Sequence, residues 1–196
     1  MNYRKKFMEE CASLVKRDGF ENLLAWLTNA GQCDFFVAPA STKYHSNKEG
    51  GLCEHTYKVF KRLVGRLNEL KTYYQDLTEA ELLEKIAVVA LVHDLCKCNA
   101  YGTKTRNIKD EAGKWHSVEV YEFRDELPLG HAPKSLFIAQ SFMRISRDEA
   151  AAILAHMGDF ADNSTSSMYQ RFPLAVMLHV ADLEATYLDE EIIPAP

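Results

Sequence analysis

Four side chains of metal-binding type sit on the apolar faces of helical patterns. His93 follows Leu82, Ile86 and Val89 at steps of four, three and four, so it continues an apolar stripe instead of facing water. Asp94 follows it directly, and an ionised carboxylate within an apolar helix is costly unless it is paired or bound to a cation. His55 lies one turn before Val59 on the inward side of another helix. Asp182 lies four residues after Leu178 on a third that is apolar nearly all round, with Val176, Val180, Leu183 and Tyr187 on one face and Leu174, Ala175 and Leu178 on the other. A lone histidine on such a face reads as a hydrogen-bonded core residue. Three buried helices that each carry a ligand inward read differently, because one divalent ion satisfies the whole set, and imidazole with carboxylate suits first-row metals and zinc.

The elements that must position these residues read as helices throughout. Segments 3–17 and 20–30 are two amphipathic helices separated by Asp18-Gly19, and a long connection with Gly31, Pro39 and Gly50-Gly51 spans 31–51. Helical spacing returns over 52–72. Thr78 with Glu81 forms a capping box for a helix over 79–97. Residues 103–123 change character: β-branched and aromatic residues alternate with charges about Asp110-Glu111-Ala112-Gly113, which predicts a polar hairpin. Helices follow over 133–144 and 148–157, the second capped by Ser146. A loop over 158–167 leads to a last helix over 172–188 with Pro173 in its first turn. The reading is a single all-α domain over 1–196 with a small inserted β-hairpin.

The chain has 196 residues, 47% of them hydrophobic, and a formal charge of −5, which suits a globular domain and argues against a generic nucleic-acid coat. No apolar run is long enough for a membrane span, and the start has no secretory h-region. Five cysteines without paired CxxC units predict reduced thiols in a cytoplasmic protein. Cys96 and Cys98 flank Lys97 and are expected to point in different directions rather than clamp one ion.

The stretches Gly50-Gly51-Leu52-Cys53-Glu54-His55-Thr56, Leu91-Val92-His93-Asp94-Leu95-Cys96-Lys97 and His179-Val180-Ala181-Asp182 together resemble the HD-domain metal-dependent phosphohydrolases. The resemblance extends over about residues 44–188 and implies an HD-type helical bundle whose metal-binding core follows N-terminal helices at 1–30. Leu129-Gly130-His131 and Leu154-Ala155-His156-Met157-Gly158 fall where binuclear members of that family carry further histidines. The resemblance therefore implies one ion held by His55, His93 and Asp182, a second held by His131 and His156, and Asp94 bridging them. In motif the chain is most similar to the HD domain of 3′-to-5′ exoribonucleases and to compact HD proteins of bacteria and phages. Its length leaves no room for the nucleic-acid-binding module that often precedes the domain in those ribonucleases.

The implied reaction is hydrolysis of a phosphomonoester or phosphodiester in a nucleotide or short oligonucleotide by a metal-bound hydroxide, with one or two ions of Mn, Fe, Ni, Zn or Mg. Lys97, one turn after His93, is expected to reach a substrate phosphate beside the catalytic Asp94, although a lysine there also suits the helix C-terminus. His45 is a candidate for a phosphate contact or for protonating the leaving group. His179, three residues before Asp182, fits a supporting role, and His116 reads as a surface residue. Lys43, Lys48, Lys58, Lys61, Arg62, Arg66 and Lys71 make the first metal helix basic, either as a solvated face or as a guide for anions. Lys104, Arg106, Lys109, Trp115 and Tyr121 are hairpin candidates for substrate contacts, and Leu23, Trp26 and Leu27 cover either the core or a partner. No membrane partner and no stable duplex nucleic-acid binding is expected. Two other functions use the same ligands: a di-iron oxygenase, and a non-catalytic nucleotide sensor that keeps its metals.

Overall fold

Every residue from Ile86 to Leu95 is buried, and the remaining helices are laid around this stretch. The computed structural model describes residues 2–43, 45–158 and 163–190. In chain order, helix α1 (Tyr3–Lys6) runs on through a π turn, Phe7–Cys11, and a 3-10 turn, Ala12–Leu14, before α2 (Phe20–Thr28). Then come α3 (Gly51–Gly65), α4 (Leu67–Tyr73) and α5 (Glu79–Val92), a 3-10 turn at Leu95–Lys97, and the strands β1 (Tyr101–Lys109) and β2 (Trp115–Phe123). The chain continues with α6 (His131–Gln140), α7 (Arg147–Ala155), α8 (Asn163–Arg171), α9 (Pro173–Glu184) and a π turn at Ala185–Asp189.

The protein is mostly helical with one antiparallel two-stranded hairpin. Helix α3 packs on both α5 and α9, and α7 closes the group against α5 and α9. Leu52, Val59 and Leu63 meet Leu82, Ile86 and Val89, with Leu174, Leu178 and Ile153 completing the core. Leu23 and Leu27 enter this core and Trp26 stacks on Phe142 at 5.5 Å, so the second helix is committed inward. On α9 the stripe of Leu174, Ala175, Leu178 and Ala181 is buried, whereas Val176 and Leu183, and Tyr187 in the turn that follows, are exposed. No helix among the described residues is long and apolar enough to cross a membrane.

Three expectations are corrected. The helix expected over 52–72 breaks at Arg66, whose backbone (φ −99°, ψ 9°) closes α3 with a bond to Leu63 O; Gly65 weakens the ladder there, and the Arg66 guanidinium turns to Glu184. The helix expected over 79–97 ends at Val92, and Asp94 has φ −113° and ψ 17°. On an unbroken helix consecutive side chains diverge by about 100°; the break is what lets His93 and Asp94 face one point. The loop expected over 158–167 gives way to α8, although 159–162 lie outside the described residues. Its run of Ser and Thr favours non-helical backbone, and burial overrides that preference: Met168 and Tyr169 pack on the core, with Tyr169 OH donating to Ala155 O at 2.7 Å.

The capping boxes of Thr78 with Glu81 and Ser146 with Glu149 both form. The hairpin pairs Tyr101 with Phe123 through Lys109 with Trp115, is mostly exposed, and makes few contacts with the helical body.

Candidate metal centre

The break after Val92 brings Asp94 to the lining of a cleft of about 420 Å³, with His93 fully buried behind it. Helix α3 supplies His55, α6 supplies His131 as its first residue, His156 caps the C-terminus of α7, and α9 supplies Asp182. Gly51 makes this possible at the start of α3. A Cβ there would stand 2.0 Å from Ser46 O and 3.0 Å from Ala40 N, so only glycine lets Ala40 and Ser46 lie against the helix that carries His55.

Four imidazoles are oriented alike. Each has Nδ1 occupied from outside the centre: His55 by Glu190 Oε1 at 2.7 Å, His93 by Ala90 O at 2.8 Å, His131 by Cys96 Sγ at 3.2 Å and His156 by Ile153 O at 2.6 Å. A proton donated from Nδ1 to a carbonyl leaves Nε2 as a bare lone pair. All four Nε2 atoms converge on the carboxylates. Asp94 Oδ2 lies 3.5 Å from both His55 Nε2 and His93 Nε2, while Asp94 Oδ1 lies 2.8 Å from His131 Nε2 and 3.8 Å from His156 Nε2. Asp182 Oδ1 lies 3.1 Å from His55 Nε2, and the His55 and His93 Nε2 atoms face each other at 3.2 Å. Ligand atoms of His55, His93 and Asp94 form one close group and those of Asp94, His131 and His156 another, with Asp94 in both.

The electrostatics show what is missing from a purely hydrogen-bonded account. Burial alone would push the His55 imidazole down, but Asp182 and Glu190 outweigh it and raise it to about 10. Burial is likewise outweighed at His131, which Asp94 and Cys96 raise to about 10. His156 goes the other way: burial, aided by the neighbouring His93 ring, pushes it down to about 3. Burial would raise the Asp94 carboxyl, yet Lys97, His93 and His131 hold it well below the usual carboxylate range. His156 Nε2 is buried with no hydrogen-bond partner, and His131 Nε2 has only the Asp94 carboxylate, at 2.8 Å. A buried imidazole lone pair aimed at a carboxylate is satisfied by a proton or a metal cation between the two, and burial opposes the proton at His156. These residues therefore fit one or two divalent ions.

Of the other expected residues, Lys97 Nζ lies on Asp94 Oδ2 at 2.7 Å and lines the cleft. His45 also lines it, with its ring 4.9 Å from that of His55 and Nδ1 3.2 Å from Thr186 Oγ1. His179 supports His156, its Nδ1 lying 2.6 Å from His156 O. His116 is exposed and pairs with Asp110 at 2.6 Å. The basic stripe on and around α3 is largely neutralised: Lys48 and Lys58 pair with Glu54, Lys61 with Glu10, Arg62 with Asp189, Arg66 with Glu184 and Lys71 with Glu79. Among the hairpin candidates, Lys109 and Trp115 stack on each other at 4.9 Å near the tip, away from the cleft. Lys104, Arg106 and Tyr121 line a neighbouring depression of about 480 Å³. Tyr101 and Phe123, which sequence reasoning passed over, bring the base of the hairpin to the cleft itself.

Sequence reasoning also missed Glu190. It lies in the acidic run Asp189-Glu190-Glu191, which reads as a solvated stretch. In the structure it is buried, accepts from Ser46 Oγ at 2.5 Å and holds His55 Nδ1. Neither a protein-family model, nor a curated protein, nor a solved structure matches this chain.

Proposed function

We propose that this protein is a metal-dependent phosphohydrolase of the HD type, acting on a phosphate ester of a nucleotide or short oligonucleotide. The observation that carries the proposal is the convergence of four imidazole Nε2 atoms on the two oxygens of Asp94, the Nε2 of His156 being buried without a hydrogen-bond partner. Divalent ions held there would supply an activated water and neutralise charge on the phosphoryl oxygens. His55, His93 and Asp182 would hold one ion, His131 and His156 the other, and Asp94 would offer one oxygen to each.

The other residues act on the substrate. Lys97, at the cleft wall, offers its ammonium to a phosphoryl oxygen once its share of Asp94 is taken over by metal. His45 has Nδ1 engaged with Thr186, which leaves Nε2 to hold a proton for the leaving-group oxygen. Tyr101 and Phe123, in edge contact at 5.6 Å, give the outer cleft an aromatic wall. The cleft's 420 Å³ is within the range of small-ligand sites, about 300–1,000 Å³.

The test is elemental analysis of protein purified without chelators, beside Asp94→Ala, followed by a screen of Mn, Mg, Co, Ni and Fe against mononucleotides, dinucleotides, cyclic nucleotides and short RNA and DNA. Phosphate or nucleotide release that depends on metal and is lost in Asp94→Ala is expected. Wild-type protein that holds no metal would sink the proposal. So would iron-loaded protein that consumes O₂ and hydrolyses none of these esters, or stabilisation by a nucleotide with no product on long incubation.

A further inference from the structure

A second group of ligand-type side chains lies outside the His–Asp cleft and is independent of it. Cys33 and Asp34 belong to the connection between α2 and α3, and Cys98 follows the Leu95–Lys97 turn. One ligand atom from each of the three lies within 4.8 Å of the other two. Both cysteines are buried and Asp34 is half-buried; none of the three lines the cleft.

The backbone around them is held unusually firmly. Asp34 N–H donates to Asn99 Oδ1 at 3.1 Å, Asn99 N–H donates to Asp34 Oδ1 at 2.6 Å, and Asn99 Nδ2 donates to Gln32 O at 2.7 Å. Asn99 adopts the left-handed conformation, φ +54°, that these bonds require. Two stretches 65 residues apart are thus locked together at the point where their ligand atoms meet.

We propose that Cys33, Asp34 and Cys98 form a structural site for a thiophilic divalent ion of the zinc type. A tetrahedral ion with sulfur at about 2.3 Å and oxygen at about 2.1 Å holds its ligand atoms roughly 3.5–3.8 Å apart. That spacing lies within the 4.8 Å span of this group, so small side-chain rotations suffice. Asp34 Oδ1 already accepts from Asn99 N–H, the kind of outer bond that orients a ligating carboxylate, and Oδ2 remains for the metal. The half-buried Asp34 side gives an entry path and room for a solvent molecule as fourth ligand. The Cys98 thiol beside Cys33 outweighs burial and the Asp34 charge and holds the Cys33 thiol below its ordinary value, so the thiolate a metal needs is accessible, and a cation is stabilised by all three groups. One wall of the cleft, with His45, follows Cys33–Asp34, and Lys97 directly precedes Cys98. An ion here would staple the cleft's two sides from behind.

Cobalt(II) is the probe, added to the whole protein under reductant. Thiolate-to-cobalt charge transfer absorbs in the near ultraviolet, and a histidine–carboxylate site has no such band. The band is expected in the wild type and in the double variant His55→Ala/Asp94→Ala, and absent from Cys33→Ser. Asp34→Asn, which keeps both sulfurs, should retain the band but bind cobalt about 10- to 100-fold more weakly; it decides the matter if Cys33→Ser does not fold. A wild type without the band overturns the inference, as does a band that survives in folded Cys33→Ser, unchanged cobalt affinity in Asp34→Asn, or recovery of Cys33 and Cys98 as a disulfide. Because the cleft variants are expected to keep the band, failure here and failure of the phosphohydrolase reading give different results.

Discussion

His156 and Glu190 mark the two ways in which single residues serve the centre. His156 is buried with Nδ1 on Ile153 O and Nε2 facing Asp94, where nothing donates to it. An unsatisfied buried polar atom costs about 1–3 kcal/mol. Replacing it with an apolar side chain of similar size removes that cost, so His156→Leu is expected to match or exceed wild-type stability in chelator while losing part of the stabilisation that added metal gives. Denaturant titrations with and without Mn or Zn check this; a variant stabilised by metal as much as the wild type would remove His156 from the ligand set. Glu190 acts through His55 by fixing its tautomer. Glu190→Gln should weaken metal binding about 10- to 100-fold without altering the fold, as read by chelator competition.

Among the elements, the N-terminal segment and α7 are joined by a clamp remote from the centre. Arg17 Nη1 and Nη2 donate to Glu149 Oε2 and Oε1 at 2.9 and 2.8 Å, and Lys85 approaches at 3.5 Å. Burial would raise the Glu149 carboxyl, but Arg17 and Lys85 hold it below its ordinary value. The folded state therefore binds this proton less readily than the unfolded chain. The stability so gained is present above the ordinary carboxylate range and is lost as pH falls through the folded value. Thermal melts are expected to decline from about pH 5 downward. Glu149→Gln should flatten that acid limb and lower stability at neutral pH by about 3 kcal/mol, since it removes the paired carboxylate of Arg17 and leaves it Glu84 at 4.0 Å and Arg144 O. An acid limb as steep as the wild type's would mean that other carboxylates govern it.

At the scale of the molecule, the hairpin and the helical body are separable. Beyond Tyr101 and Phe123 the strands bury little and touch the helices sparsely. Replacing residues 103–121 by a short turn is expected to leave the circular dichroism spectrum of the helices and the metal content unchanged. Substrate affinity should fall, because the aromatic wall loses its support. Loss of helical signal on this deletion would show that the hairpin stabilises the core. The formal charge of −5 is largely cancelled if two divalent ions bind, which removes the long-range repulsion an acidic chain would otherwise present to a phosphate ester.

The helical class, the hairpin, the capping box of Thr78 with Glu81, the cap at Ser146 and the inward direction of His55 and His93 were legible in the sequence, because each depends on spacing within one element. Spacing carries a helix's periodicity and a cap's local hydrogen bonds, and it makes burial of a charge conspicuous. The break at Val92 was not legible, since local pattern favours continuing the helix and only the shared orientation of His93 and Asp94 requires it to stop. The same holds for α8, where core packing prevails over a loop-like composition. Glu190 was invisible for a related reason: nothing near it in the chain marks it, and its role exists only because α9 and the following turn return it to α3. The grouping of Cys33, Asp34 and Cys98 likewise depends on two distant stretches meeting. Local periodicity identified which residues face inward. Which atoms meet there was decided by chain reversal and packing, which bring together groups whose separation along the sequence carries no signal.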